Sequence, residues 1–278
     1  MSPLCYNSFM DFRLIQIDDI SDSRLDIFAR LNENALFRIN EPDPGIFIAE
    51  SPLIAGRALD AGYEPVCALV DEREIESRDT ASVLKRLTGI DIYTSSADIL
   101  VKITGFSLTR GLLCAMKRRP LPTVPDILSG SSRIAVLEDI VNPTNTGAIF
   151  RSAAAFSMDA VLLTRPCADP LQRRADRVSM GNVFHIPWTY LPDDWMDVLK
   201  DFGFKTAAMA LRDNAISITD PSLKAESRLA VLIGSEGPGL KNTTIDAADY
   251  VVKIPISPAV DSLNAAAASA IAFFELTK

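Results

Sequence analysis

Asn145 and Arg151 stand six residues apart in Asn145-Thr146-Gly147-Ala148-Ile149-Phe150-Arg151, and Glu236 lies within Gly234-Ser235-Glu236-Gly237-Pro238-Gly239-Leu240. A third segment, Ile254-Pro255, is followed by Ser262-Leu263-Asn264. Together these residues offer one guanidinium, one carboxylate, two carboxamides and a hydroxyl. None of them ordinarily titrates near neutral pH. Such a set suits orienting a hydroxyl, gripping a neighbouring anion and favouring negative charge as it develops, more than classical acid-base work. Arg151 interrupts an apolar stretch, and a cation buried there needs a partner, because leaving it unpaired is costly. Glu236 is one candidate; a phosphate is another.

The glycines of the middle segment permit positive φ and close approach of backbone to a ligand. An ordinary strand-to-helix turn would use glycine in the same way. The segment is neither a Walker loop, since no Gly-Lys-Ser/Thr follows, nor a GxGxxG fingerprint with an acidic residue about 20 positions on. Asn145 could simply cap a helix starting near Thr146, and Ser262 could cap the last helix. The alanines after Asn264 suit either helix propensity or close packing.

Each segment falls where a buried strand ends. In the second half, 133–137, 160–163, 206–210, 229–233 and 250–254 are short, nearly continuous apolar runs, the pattern of parallel strands covered on both faces. Helical stretches at 145–156, 192–202 and 263–276 separate them, predicting a doubly wound parallel α/β sheet whose strand ends carry the site. In the first half, 45–49, 66–70 and 111–116 read as strands, and 80–87 and 97–103 as helices. A further helix is opened by Ser51-Pro52 and closed by Gly62, with N-cap, first-turn proline and terminal glycine in agreement. Three prolines between Arg118 and Pro125 disfavour helix and predict an extended linker. The expected organisation is an N-terminal α/β domain over 1–117, a linker over 118–131 and a C-terminal domain over 132–278.

The 278 residues carry a net charge of −8, which argues against a polyanionic partner until its distribution is considered. Residues 1–100 hold 18 acids and 9 bases, the remainder 18 acids and 19 bases. No acid lies between Asp98 and Asp126, where Lys102, Arg110, Lys117, Arg118 and Arg119 fall, and Arg165, Arg173, Arg174 and Arg177 cluster later. These clusters are candidate nucleic-acid contacts or ordinary solvated surface. The four cysteines are far apart and show no metal-ligand spacing, so no metal site or disulfide framework is expected. No apolar run approaches the roughly 20 residues of a membrane span. A cytoplasmic, non-membrane protein is the expectation.

The three segments, in this order and each at a strand end, resemble the signature motifs of the SpoU (TrmH-like) branch of the SPOUT, or α/β-knot, RNA methyltransferases. The resemblance covers roughly 132–276. It implies a C-terminal domain tied in a trefoil knot, an S-adenosylmethionine cofactor, a homodimer through that domain that completes the site, and methyl transfer to a ribose 2′-hydroxyl of rRNA or tRNA. Knots are rare enough that fold rules would not propose one. By the same resemblance Arg151, Asn145, Glu236, Ser262 and Asn264 are catalytic-pocket residues. Met209, Ala210, Leu211, Gly234, Ser235, Gly237, Ile254, Ile256 and Leu263 mark the cofactor loops. The first domain then looks like the family's ribosomal-protein-like RNA-binding domain, with Lys102, Arg110, Lys117, Arg118 and Arg119 contacting phosphates, joined by Arg173 and Arg174. Two departures stand out: Asn142-Pro143 replaces the frequent Asp-Pro, and Pro258 stands where a glycine is usual. Base methylation by a related knot enzyme, and RNA binding without catalysis, are the alternatives.

Overall fold

The computed structural model describes residues 13–104 and 111–277. The chain divides into two compact units, one up to Arg119 and the other from Pro120 onward.

In the first unit the elements are β1 (Arg13–Gln16), α1 (Asp26–Ala29), α2 (Glu33–Arg38), β2 (Ile46–Glu50), α3 (Pro52–Asp60), β3 (Pro65–Asp71), α4 (Arg78–Leu84), β4 (Asp91–Ser95), α5 (Ala97–Thr104) and β5 (Leu112–Lys117). The sheet order is β1-β4-β3-β5-β2, with β5 antiparallel to both β3 and β2. Helix α3 begins as the sequence dictates: Ser51 accepts the Ile54 N–H, Pro52 needs no donor in the first turn, and Gly62 at φ 81° follows the end. Ile48, Leu69, Leu113 and Ala115 bury one sheet face against Leu25, Phe28 and Leu36.

The second unit contains α6 (Val124–Gly130), β6 (Arg133–Glu138), α7 (Pro143–Ala155), β7 (Ala160–Leu163), α8 (Arg173–Val178), β8 (Trp188–Tyr190), α9 (Trp195–Asp201), β9 (Lys205–Met209), β10 (Ile216–Ser217), α10 (Pro221–Ala225), β11 (Leu229–Gly234), α11 (Asn242–Ala247), β12 (Tyr250–Lys253) and α12 (Ala265–Leu276). All seven strands pair in parallel, in the order β10-β12-β9-β11-β6-β7-β8. From β6 the chain steps through β7 to β8, then returns to the far side, and β11 later fills the gap between β9 and β6. That reversal of direction puts a topological switch point between β6 and β11, and open parallel sheets bind ligands at the carboxyl ends of their strands near such a point.

The expected linker is shorter than 118–131. Residues 124–130 form α6, in which Thr123 and Asp126 make a reciprocal capping box and Pro125 sits in the first turn, where no backbone donor is needed. Ile127 and Leu128 of that helix pack with Ile134, Val136 and Leu232, so α6 belongs to the core of the second unit. Among the described residues no helix is long and apolar enough to cross a membrane.

Candidate active site

Strand β11 ends at Gly234, and the chain then folds back on itself. A Cβ on Gly234 would stand 2.1 Å from the Leu240 backbone nitrogen and 2.2 Å from the Gly239 carbonyl carbon, a separation only glycine permits. Ser235 and Gly239 form an antiparallel bridge, with the Gly239 N–H donating to the Ser235 carbonyl at 3.1 Å. Gly237 and Gly239 take φ of 90° and 71°, and open space lies where a Cβ would stand on either. The turn therefore presents bare backbone, with Glu236 exposed at its tip.

The last loop leads into α12, whose cap is Asn264 and not Ser262. The Asn264 Oδ1 accepts the Ala266 and Ala267 N–H groups at 3.0 and 3.2 Å. This leaves the side-chain Nδ2 free to donate to Asn145 Oδ1 at 3.2 Å and, in a short contact, to Glu236 Oε1. Ser262 is exposed. Pro258 follows Ser257 in a turn closed by the Val260 N–H to the Ser257 carbonyl at 3.0 Å, a position that suits proline's fixed φ.

Helix α7 starts two residues earlier than its motif suggests. Asn142 is the cap, accepting the Thr144 N–H at 2.9 Å, and Pro143 takes the first position. Asn145, released from capping, is buried in the first turn with its carboxamide against Asn264. Gly147 lets α7 approach α8, since a Cβ there would lie 2.4 Å from the Ala175 carbonyl oxygen. Arg151 departs from expectation. It is exposed, makes no ion pair or hydrogen bond with Glu236 or Asn264, and does not line the cavity those residues border. The reason is helical period: six residues at about 100° each turn Arg151 roughly 120° away from Asn145.

A cavity of about 660 Å³ opens at the ends of β9, β11 and β12. Met209, Ala210, Leu211, Gly234, Ser235, Gly237, Ile254, Ile256 and Leu263 all line it, joined by Glu236, Ser262 and Asn264 at its edge. Sequence reasoning missed Arg212, Lys253 and Asp261, which also line it, because each follows its strand or loop without a motif signal. It missed Glu138 as well, a buried carboxylate at the end of β6 whose partners lie more than 100 positions away. Among the described residues no three His, Cys, Asp or Glu side chains cluster as metal ligands would.

The basic clusters divide. Lys102 is exposed on α5, and Lys117 is exposed but paired with Glu64 at 2.8 Å. Arg118 is only 9% exposed: its Nε donates to the Ile46 carbonyl at 3.1 Å and its guanidinium lies 4.9 Å from the Phe37 ring centre. It is a structural cation and not part of an open basic strip. Arg119 donates to the Ala61 carbonyl at 2.6 Å and sits over Tyr63. Arg110 lies outside the described residues. On α8, Arg174 is exposed and donates to Thr144 Oγ1 at 2.7 Å, which brings that helix beside the start of α7, with Arg173 preceding it half-buried.

The SpoU rRNA Methylase family matches residues 132–274. A protein of Mycobacterium bovis and Mycobacterium tuberculosis named as an uncharacterized tRNA/rRNA methyltransferase is 38% identical over 265 residues, spanning 94% of this chain and 90% of that protein. Among solved structures, an AdoMet-bound rRNA methyltransferase from Sinorhizobium meliloti superposes with a TM-score of 0.76 at 21% identity, covering 95% of this chain and 97% of the other. An RNA 2′-O ribose methyltransferase superposes with a TM-score of 0.75 at 23% identity, covering 94% and 98%.

Proposed function

The chain belongs to the SpoU rRNA methylase family, with its α/β-knot fold, and from that premise we propose that it transfers a methyl group from S-adenosylmethionine to a ribose 2′-hydroxyl of ribosomal or transfer RNA. The observation that carries this reading is the joining of Asn145, Glu236 and Asn264 by one carboxamide at the rim of the cavity.

The cavity suits the cofactor. Its volume lies within the range of small-molecule sites, its walls mix the apolar Met209, Ile233, Ile254 and Leu263 with polar loop residues, and the space beside Gly237 and Gly239 is one that a side chain would fill. Met209 to Leu211, Gly234 to Gly237, Ile254, Ile256 and Leu263 would hold it. When bound, it supplies an electrophilic methyl on a sulfonium. Asn145, Glu236 and Asn264 fix one another and so present a rigid polar rim that orients the incoming hydroxyl.

Arg151 acts from a different direction. A guanidinium stays protonated at neutral pH and is a poor proton acceptor; an exposed one suits the phosphate flanking the target ribose and the developing alkoxide. Because it faces away from its own chain's cavity, it serves the cavity of a second copy. On α12, Ala267, Ile271 and Phe274 fall on one exposed face, with Ile271 40% and Phe274 44% exposed, and the Phe274 ring meets Phe156 just beyond α7 at 5.7 Å. That apolar face, touching the end of α7, is where the C-terminal domains of a homodimer would meet in this reading, with the exposed Arg151 of α7 offered to the other chain.

The first unit is the RNA-selecting domain in this reading, through Lys102, Lys117 and Arg119, with Arg173 and Arg174 contributing beside α7. Arg151→Ala tests the assignment. Transfer should fall about 100-fold or more, as when a charge-stabilising donor is removed, while cofactor affinity by calorimetry stays within about threefold. A variant with near-normal turnover would reject it.

A further inference from the structure

We infer that Glu138, seconded by Asp139, is the positioning residue that fixes the glycine loop of the cofactor cavity. The inference rests on the cofactor reading above and deepens it.

Glu138 is the last residue of β6 and pairs in register with Gly234, the last residue of β11, where the strand order reverses. It is 2% exposed, yet both carboxylate oxygens are used: Oε2 accepts the Lys241 N–H at 2.8 Å and Oε1 accepts the Thr244 hydroxyl at 2.7 Å. Lys241 is the cap position of α11 and receives no cap from its own side chain. A carboxylate from another strand therefore supplies the acceptor that the start of this helix lacks. Asp139, at φ 56° in the left-handed region, takes the Lys241 ammonium at 2.9 Å and the Thr164 hydroxyl at 2.9 Å. The hydrogen bond to Asp139 raises the Lys241 ammonium pKa above its ordinary value.

Lys241 is thus gripped at its backbone and at its side chain by two consecutive residues. The glycine loop between Gly234 and Lys241 is closed at both ends: by the packing of Gly234 on Gly239 and Leu240, and by this clamp. Three residues beyond Asp139, Asn142 starts α7 and with it the segment carrying Asn145. One buried carboxylate therefore sets the spacing between the cofactor loop and the catalytic helix. Hydrogen bonds to an ionised acceptor are stronger and more directional than neutral ones, which suits a clamp.

The test uses Thr244→Val, which removes one of the two bonds, Thr244→Ser, which keeps the hydroxyl, and Glu138→Gln, all in the full chain. Amide hydrogen exchange over residues 237–241 is read without cofactor, S-adenosylmethionine affinity by calorimetry, and global stability by thermal unfolding. Thr244→Val should speed exchange and weaken cofactor binding by about 10-fold each, Thr244→Ser should restore both, and Glu138→Gln should shift both in the same direction as Thr244→Val. Should Glu138→Gln fail to fold, the Thr244 pair carries the test alone. Unchanged exchange in Thr244→Val, or faster exchange with unchanged cofactor affinity, would overturn the positioning role. A wild-type chain that binds no cofactor would overturn the cofactor reading instead, and the exchange data would still judge the clamp.

Discussion

Asn264 donates its side-chain amide to Asn145, 119 residues earlier, at 3.2 Å, while its side-chain oxygen caps helix α12. One carboxamide thus performs two separable tasks. Asn264→Asp retains the cap but loses the donor and sets a carboxylate against Glu236, so it should unfold within a few degrees of the wild type while transfer falls about 100-fold. Asn264→Ala should lose transfer and also about 1 kcal/mol of stability, the usual worth of an N-cap. Thermal unfolding and transfer rates measured together check the separation; an active Asn264→Asp variant would contradict it.

Gly234→Ala should damage the fold where the cofactor loop turns. The added methyl would fall 2.1 Å from a backbone nitrogen, which no side-chain adjustment relieves, so a cost of about 3 kcal/mol or more is expected, together with loss of cofactor binding. Gly237→Ala meets no atom within 4 Å and carries only the left-handed backbone cost of about 1–2 kcal/mol. Chemical denaturation of the two variants should rank them in that order.

These two sites show what was legible in the sequence. The parallel strands announced themselves as apolar runs, and the residues expected on the cofactor loops line one cavity because the chain brings the ends of β9, β11 and β12 side by side. Local signals misled at the start of α7: the cap expected at Asn145 lies at Asn142, and Pro143 takes the first helical position. Arg151 looked buried among apolar neighbours, but Ala148, Arg151, Ser152 and Ala155 share the outer face of α7 at helical spacing. Helix α6 was hidden by prolines that its first turn tolerates. Glu138 could not have been found locally, since its purpose depends on contacts with Lys241 and Thr244.

Residues 120–278, which keep α6 and its capping box, should fold alone, dimerise and bind S-adenosylmethionine while losing RNA selectivity. Starting the chain at Ser131 would remove Ile127 and Leu128 from the core and should yield an unstable fragment. Light scattering and RNA competition binding check both. A monomer at micromolar concentration, or RNA selectivity equal to that of the full chain, would contradict the division of labour.

Charge reversal of Lys117 and Arg119 should flatten the dependence of log affinity on log salt by about 0.7–0.9 for each phosphate contact removed. Arg118→Ala should instead lower stability, since it removes the bond to the Ile46 carbonyl and the contact with Phe37. An unchanged salt slope after the double reversal would leave those residues as ordinary surface.

Alkaline pH should weaken the first unit. Burial pushes the Cys67 thiol up to about 12, so the folded chain keeps its proton while the unfolded chain releases it above about pH 9. Stability from this group is complete below that pH and declines as pH rises toward 12, by about 1.4 kcal/mol per unit. Cys67→Ala should flatten the pH dependence of stability between 9 and 11. An unaltered slope would contradict the assignment.

The central claim is the chemistry of transfer, and the position of the methyl group tests it most directly. The full chain is incubated with methyl-labelled S-adenosylmethionine and unmodified rRNA or tRNA, and the product is hydrolysed with alkali, which needs a free 2′-hydroxyl to cleave the adjoining phosphodiester. The account requires label in alkali-resistant dinucleotides, with the signal lost in Arg151→Ala. Label recovered on a nucleobase, or on mononucleotides that alkali releases normally, would contradict it.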